Sequence, residues 1–188
     1  MYYVFSSKPI GSAEPLASIE DAPEIPGIES WLSGNKFKEN IPEPIEIYLD
    51  DNYPGRMPDF FNFTIPLMSD RLVDSLHEIG VSNFDTYRVI IKNGDGLLVS
   101  ENYKAVNIIG IVAAADVNKS KVALNKEVGL IDSDFDSLEI DEIKAINMLM
   151  FRLAEAVSAI VIHERVKKHL ENSGLGSLGF IEPKDWMC

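Results

Sequence analysis

The sequence predicts an α+β fold. The expected architecture is a mixed, mainly antiparallel sheet with two similar short helices and a Pro-rich irregular N-terminal third. Three observations predict it. Nine of the ten prolines fall between Pro9 and Pro66, and proline fixes φ and removes a backbone donor. Beyond them come many short apolar runs and few helical ones, which does not fit the regular βαβ alternation of a doubly wound sheet. Two stretches also match in register: LMSDRLVDSLHEIG at 67–80 and VIHERVKKHLENSG at 161–174.

Two short strands are expected in the first third, Tyr2–Ser6 and 45–49. In the second, Ile45, Ile47 and Leu49 alternate with Glu46 and Tyr48. The irregular segment between and after them is rich in aromatics. Trp31, Phe37, Phe60, Phe61 and Phe63 are expected to pin it to the core. A helix then starts after Ser69, whose hydroxyl suits an N-cap. Leu72, Val73, Leu76 and Ile79 share one face of it, and Gly80 ends it. A strand follows at 87–92, closed by the turn Asn93-Gly94-Asp95-Gly96. AVNIIGIVAAADV reads as a buried strand bent near Gly110. Further strands are expected around Leu138 and Ile140, from Met148, at 158–162, and in LGFIEP after a second helix over 164–172.

The repeat therefore has a packing basis. An apolar strand feeds a polar cap, a short helix lays one face on a sheet, and a glycine turns the chain back. Arg71 and Arg165 are its matched functional-type residues. Arginine in a first helical turn does not help the macrodipole. These two and Arg152 are expected to be partly buried and paired with carboxylates such as Asp59 or Asp116.

With 188 residues the chain suits one domain, 1–188, with a core that needs no staples. No apolar run approaches the length of a membrane span, and Met1 to Phe5 lacks the features of a secretory signal. The single cysteine, Cys188, leaves no internal disulfide or thiolate metal site. A cytoplasmic location is expected. The net charge of −13 argues against nucleic acid as a partner and suits a basic one.

The usual catalytic signatures are missing. There is no HExxH pair, phosphate loop, GxSxG elbow or plausible cysteine nucleophile. His163 and His169 lie about 240° apart around a helix and cannot share a metal. His163 takes the capping place that Ser69 holds in the first copy, and His77 reads as a solvated residue. Asp132, Asp134 and Asp136 have the 1-3-5 spacing of a calcium loop. The match fails at Ser137, where glycine is needed, and at Ile143, where glutamate is needed. No cofactor or metal is expected. What remains is a dense acidic strip: Asp132, Asp134, Asp136, Glu139, Asp141 and Glu142. It reads as a solvated edge or as a surface that meets a basic protein. Asp50-Asp51 is a second such surface.

A set of scattered motifs runs over nearly the whole chain. They are Tyr2-Tyr3, Trp31 with Gly34, Pro58-Asp59-Phe60, and Ser69-Asp70-Arg71-Leu72. Next come Tyr103 with Val106-Asn107, then Gly110, Asp116 and Ser120. Last are Phe151-Arg152-Leu153 and the closing strand–helix–glycine unit through Phe180. Their order resembles a family of bacterial immunity proteins from polymorphic toxin systems. It is the eleventh immunity family, formerly a domain of unknown function. His163 is a departure, since that pattern usually carries serine there. The resemblance implies a non-enzymatic protein that binds and blocks a cognate toxin made by the same cell. Trp31, Asp59, Arg71, Asp116 and Arg152 would then be structural. The residues leave two alternatives open: a small enzyme with a site assembled from Asp59, Asp116, Arg71, Arg152 and His163, or a generic protein-binding adaptor.

Overall fold

A computed structural model describes residues 1–9, 11–116, 118–123, 134–176 and 178–187. Asp132 and Cys188 lie outside the described residues. The strands of the first half are β1 (Tyr2–Ser6), β2 (Ile45–Tyr48), β3 (Phe60–Phe61) and β4 (Leu67–Ser69). Helix α1 (Asp70–Glu78) leads to β5 (Phe84–Lys92), β6 (Leu98–Ser100), β7 (Tyr103–Ile108) and β8 (Ile111–Val112). The second half holds β9 (Lys121–Ala123), β10 (Asp134–Ser137), β11 (Met150–Leu153) and β12 (Ala156–His163). Helix α2 (Glu164–Asn172) and β13 (Gly179–Ile181) follow. This is the α+β class read from the sequence.

The strands form two main sheets. One has the order β13-β1-β12-β11-β8, and the other β2-β5-β7-β4-β3 with β6 on β5. A third pair, β9 and β10, stands alone. Among the named strands the pairings are antiparallel except β11 with β8 and β2 with β5.

The sequence repeat becomes two copies of one supersecondary unit. In the first copy β4 feeds α1, which feeds β5, and β7 lies between β4 and β5, antiparallel to both. In the second β12 feeds α2, which feeds β13, and β1 lies between them, again antiparallel to both. Each is a split βαβ, in which a helix crosses over between two parallel strands separated by a third. The middle strand follows its unit in the first copy and precedes it in the second.

The two units face each other across one core. Leu72, Val73 and Leu76 of α1 meet Val166 and Leu170 of α2, with Phe5, Met68, Val106, Ile108, Ile160 and Ile162 beneath them. Strand alternation sends the neighbouring side chains to the opposite faces. Leu67, Tyr103 and Ala105 enter a second core with Trp31, Ile45, Ile47 and Phe61. Tyr2, Val4 and Val161 enter a third with Phe135, Leu138 and Phe151. The proline-rich third thus covers the outer face of one sheet. Trp31 is its anchor, with Phe37 and Tyr87 edge-on to the indole at 4.9 and 5.6 Å. Phe63, expected to join the aromatics that pin this segment, is exposed. The strand expected around Leu138 and Ile140 is displaced. β10 ends at Ser137, and Ile140 makes a lone bridge with Ala115.

Both helices start on a side-chain cap and end before a left-handed glycine. The Ser69 hydroxyl accepts the Leu72 N–H at 3.2 Å, and Nδ1 of His163 accepts the Arg165 N–H at 3.1 Å. Gly80 and Gly174 have φ of +93° and +70°, values that carry no penalty for glycine.

Asp59 ties the two units together. Its carbonyl accepts the Ser69 N–H at 2.8 Å and its Oδ1 accepts the Ser69 hydroxyl at 2.6 Å. Its Oδ2 accepts the Gly176 N–H, beyond α2, at 2.9 Å. Arg71 adds to the tie by donating to the Gly174 carbonyl at 3.0 Å. Asp59→Ala would leave a hydroxyl and an amide without their acceptor, and is expected to cost roughly 1–3 kcal/mol in urea denaturation. Ser69→Ala should cost about 1 kcal/mol. The double variant should lose less than the sum, because the two share one bond. Additive losses would show that Asp59 does not act through the cap.

Candidate functional site

The five residues of the enzymatic alternative do not gather around one point. Asp59 and Arg71 meet the 174–176 loop, past the C-terminal end of α2. His163 caps the other end of that helix, roughly 13 Å away by helical rise. Asp116 is elsewhere, in a tight turn. It accepts the Asn118 N–H at 3.2 Å and pairs with Lys119 at 2.8 Å, and the Lys119 hydrogen bond holds its carboxyl below the ordinary range. Arg152 is buried to 1% exposure in β11.

The arginine pairing expected from sequence is corrected at all three positions. Arg71 is exposed and bonds a carbonyl, and Arg165 is exposed. Arg152 is buried but has no carboxylate partner among the described residues. Its Nη1 donates to the Val157 carbonyl at 2.8 Å, while Nε and Nη2 find no acceptor. Burial pushes its guanidinium down to about 10. The reason lies in strand alternation. Met150 and Arg152 share a face of β11, and that face is apolar, with Ile160 directly across the pairing.

A shallow groove does pass His163. It is lined by Tyr2, Glu142, Ile146, Asn147, Met148, Leu149 and Arg165 besides the imidazole. Tyr2 packs edge-on to His163 at 5.1 Å and donates its hydroxyl proton to the Ala145 carbonyl. His163 is the only one of the five enzymatic candidates in this groove. Among the described residues no group of three or more His, Cys, Asp and Glu is arranged to hold a metal.

The acidic strip is less bare than its sequence suggests. Asp134 opens β10, and Asp136 and Glu139 are exposed. Asp141 accepts the Ile143 N–H at 3.0 Å and lies 4.0 Å from Lys144. Glu142 pairs with the Met1 ammonium at 3.0 Å. At the other acidic surface Asp50 accepts two bonds from Asn52, each 2.9 Å, and Asp51 accepts the Gly94 N–H at 3.4 Å. Among the described residues neither carboxylate has a cation within 4.0 Å.

One surface feature escaped the sequence reading. Leu97, Leu98 and Val99 are exposed, as are Tyr48 and Tyr53. The signal was present: three successive apolar residues follow a turn and sit between Asp95 and Glu101. A short apolar run reads as buried strand unless its place at a sheet edge is known.

Two predictions follow from the capping histidine and the buried arginine. Only neutral imidazole can accept at Nδ1, and burial, the chain's amino group and Arg165 all lower the His163 pKa. Its stabilising share is therefore full above the unfolded value of about 6.5 and is lost as pH falls through the lower folded value. His163→Ser, which restores the cap of the first copy, should flatten the fall in melting temperature below about pH 6.5 relative to the parent. Parallel curves for the two proteins would contradict this. Arg152→Met discards the charge and keeps the length. It should leave stability unchanged or raise it by up to about 2 kcal/mol, whereas Arg152→Ala should cost roughly 2–5 kcal/mol by leaving a cavity. A clear loss with methionine would mean that the guanidinium has a necessary partner.

Comparison with known proteins places this geometry. No curated protein matches the chain. The model of the Immunity protein family (Imm11) matches residues 11–185, which contain both split βαβ helices, the Asp59 tie and the acidic surfaces. The chain belongs to the immunity protein family Imm11.

Proposed function

We propose that this chain neutralises a cognate bacterial toxin domain by binding it, without catalysis, in the cytoplasm of the cell that makes both. The observation that carries the reading is the family match over residues 11–185. The dispersal of Asp59, Asp116, Arg71, Arg152 and His163 favours binding over chemistry, because each has a separate local task.

The proposed toxin is basic at the surface this chain covers. Toxins that act on nucleic acid carry basic clefts, since phosphate contacts dominate their affinity. A chain of net charge −13 can present carboxylates where phosphates would sit. Asp132, Asp134, Asp136, Glu139, Asp141 and Glu142 are the leading candidates for that role, with Asp50 and Asp51 a second, separate one. Charges at a rim mainly speed encounter.

Two measurements test this. Co-expression with the toxin encoded beside the gene should restore growth, and affinity capture should recover the pair; failure of both would remove the immunity reading. Replacing Asp132, Asp134 and Asp136 together by Asn keeps size and shape. It should slow association at low salt and flatten its salt dependence, with little change in melting temperature. Unchanged rates at low salt would make the strip a solvated edge.

A further inference from the structure

The exposed apolar residues at the tip of the second sheet come from two distant segments held side by side. Tyr48 of β2, Lys92 of β5 and Leu98 of β6 are cross-strand neighbours in one row, so they point to the same face. The Lys92 ammonium pairs with Glu46 at 2.8 Å and lies 6.0 Å from the Tyr48 ring centroid. Leu97 and Val99 flank Leu98, and Tyr53 closes the neighbouring turn. Leu97 and Tyr53 are each 66% exposed, and Leu98 is 59% exposed.

Both segments are fixed in place. Leu49 N–H donates to the Lys92 carbonyl at 2.8 Å, and Asp51 accepts the Gly94 N–H. The 93–97 turn is closed by Asn93 N–H to the Leu97 carbonyl at 3.0 Å and Leu97 N–H to the Asn93 side chain at 2.8 Å. Backbone closed by these bonds loses little further freedom when the tip is covered. Tyrosine in such a place suits the centre of an interface, and the leucines beside it add apolar area to bury.

Asp50 and Asp51 follow β2 in the turn that Gly94 touches, and Asp95 and Glu101 flank Leu97–Val99 in the chain. Among the described residues none has a cation within 4.0 Å, and the one lysine in the row is already neutralised by Glu46. The strip at 134–142 differs, because Asp141 and Glu142 there already face cations. We infer that the Tyr48–Tyr53–Leu97–Leu98–Val99 tip is the anchor of the toxin interface, and that it seats a basic protein surface with an apolar recess ringed by lysine or arginine. This rests on the immunity reading and assigns that reading its central contact.

Charge complementarity and edge geometry select this occupant over three others. A second copy placed by a two-fold axis would set the same acidic rim against itself. An anionic bilayer would meet the same repulsion. An added β-strand would need a free edge: at β6 the register slips by one residue opposite Ile91 and Lys92, and a bulge discourages such pairing, while the β2 edge at Tyr48 and Leu49 is taken by Glu20 and Ile19. The acidic strip then governs how fast the partner arrives, and the tip governs how long it stays.

The test measures binding kinetics to the C-terminal domain of the adjacent toxin, inactivated by substitution. The full chain is compared with Leu97→Ser/Leu98→Ser, with Tyr53→Ala, and with Ile111→Ser. The last is a control, 38% exposed on β8 of the other sheet. The leucine variant should dissociate at least about tenfold faster, with its association rate and melting temperature unchanged. Tyr53→Ala should shift the dissociation rate in the same direction, and the isoleucine control should match the parent. If the parent binds and both tip variants dissociate at its rate, the anchor lies elsewhere and the immunity reading stands. If the parent does not bind the toxin domain, the immunity reading fails and the anchor with it. A dimer in sedimentation that the leucine variant dissolves would make the occupant a second copy and overturn the assignment.

Discussion

Asp59 holds three groups at once: the Ser69 amide, the Ser69 hydroxyl and the Gly176 amide. Two of them start α1 and the third follows α2. The two split βαβ units could each pack a helix on a sheet alone, but their helices share one apolar layer. That layer supplies most of the stabilisation. Each large aliphatic side chain buried in it contributes about 1.5–3 kcal/mol, against about 1 kcal/mol net for a hydrogen bond. Apolar contact is tolerant of small slides, whereas a hydrogen bond is not. The Asp59 carboxylate, helped by Arg71 on Gly174, fixes where α1 begins relative to where α2 ends.

Everything outside that clasp follows from the two sheets having two covered faces. The proline-rich third packs on one sheet through Trp31, Ile41 and Ile65. The 134–148 segment packs on the other through Phe135, Leu138 and Ala145. Each acidic surface lies in a turn where such a covering segment meets its sheet. The Asp50–Asp51 turn abuts the hairpin tip through Gly94. The Asp141 turn abuts β1 through the Tyr2 hydroxyl bond to Ala145. A binding protein gains from this arrangement, because its charged groups sit on backbone that the core already fixes.

The local features of this fold were legible in sequence. Helix α2 at Glu164–Asn172 and strand β1 at Tyr2–Ser6 fall where cap, glycine and apolar spacing put them. The register of 67–80 with 161–174 identified the repeat, because both copies answer the same packing demand. Polar partners were not legible. Asp59 and Gly176 are 117 positions apart, and Arg71 and Gly174 are 103 apart. Only the topology brings them together, so a search for carboxylates chose the wrong partners for the arginines. Arg152 shows the same limit. Its sequence neighbours do not reveal that it shares a face of β11 with Met150 in an apolar layer. The exposure of Leu97 to Val99 depended on β6 being an edge, which no local pattern carries.

In the function proposed above, the chain acts by occupying its partner and is not a catalyst. Titrating the activity of its cognate toxin with increasing amounts of this chain tests that most directly. Binding predicts a linear fall that reaches its floor at one equivalent and does not deepen with longer incubation. Complete loss of toxin activity at a small fraction of an equivalent, growing with time, would mean that each molecule inactivates many toxins, and would contradict it.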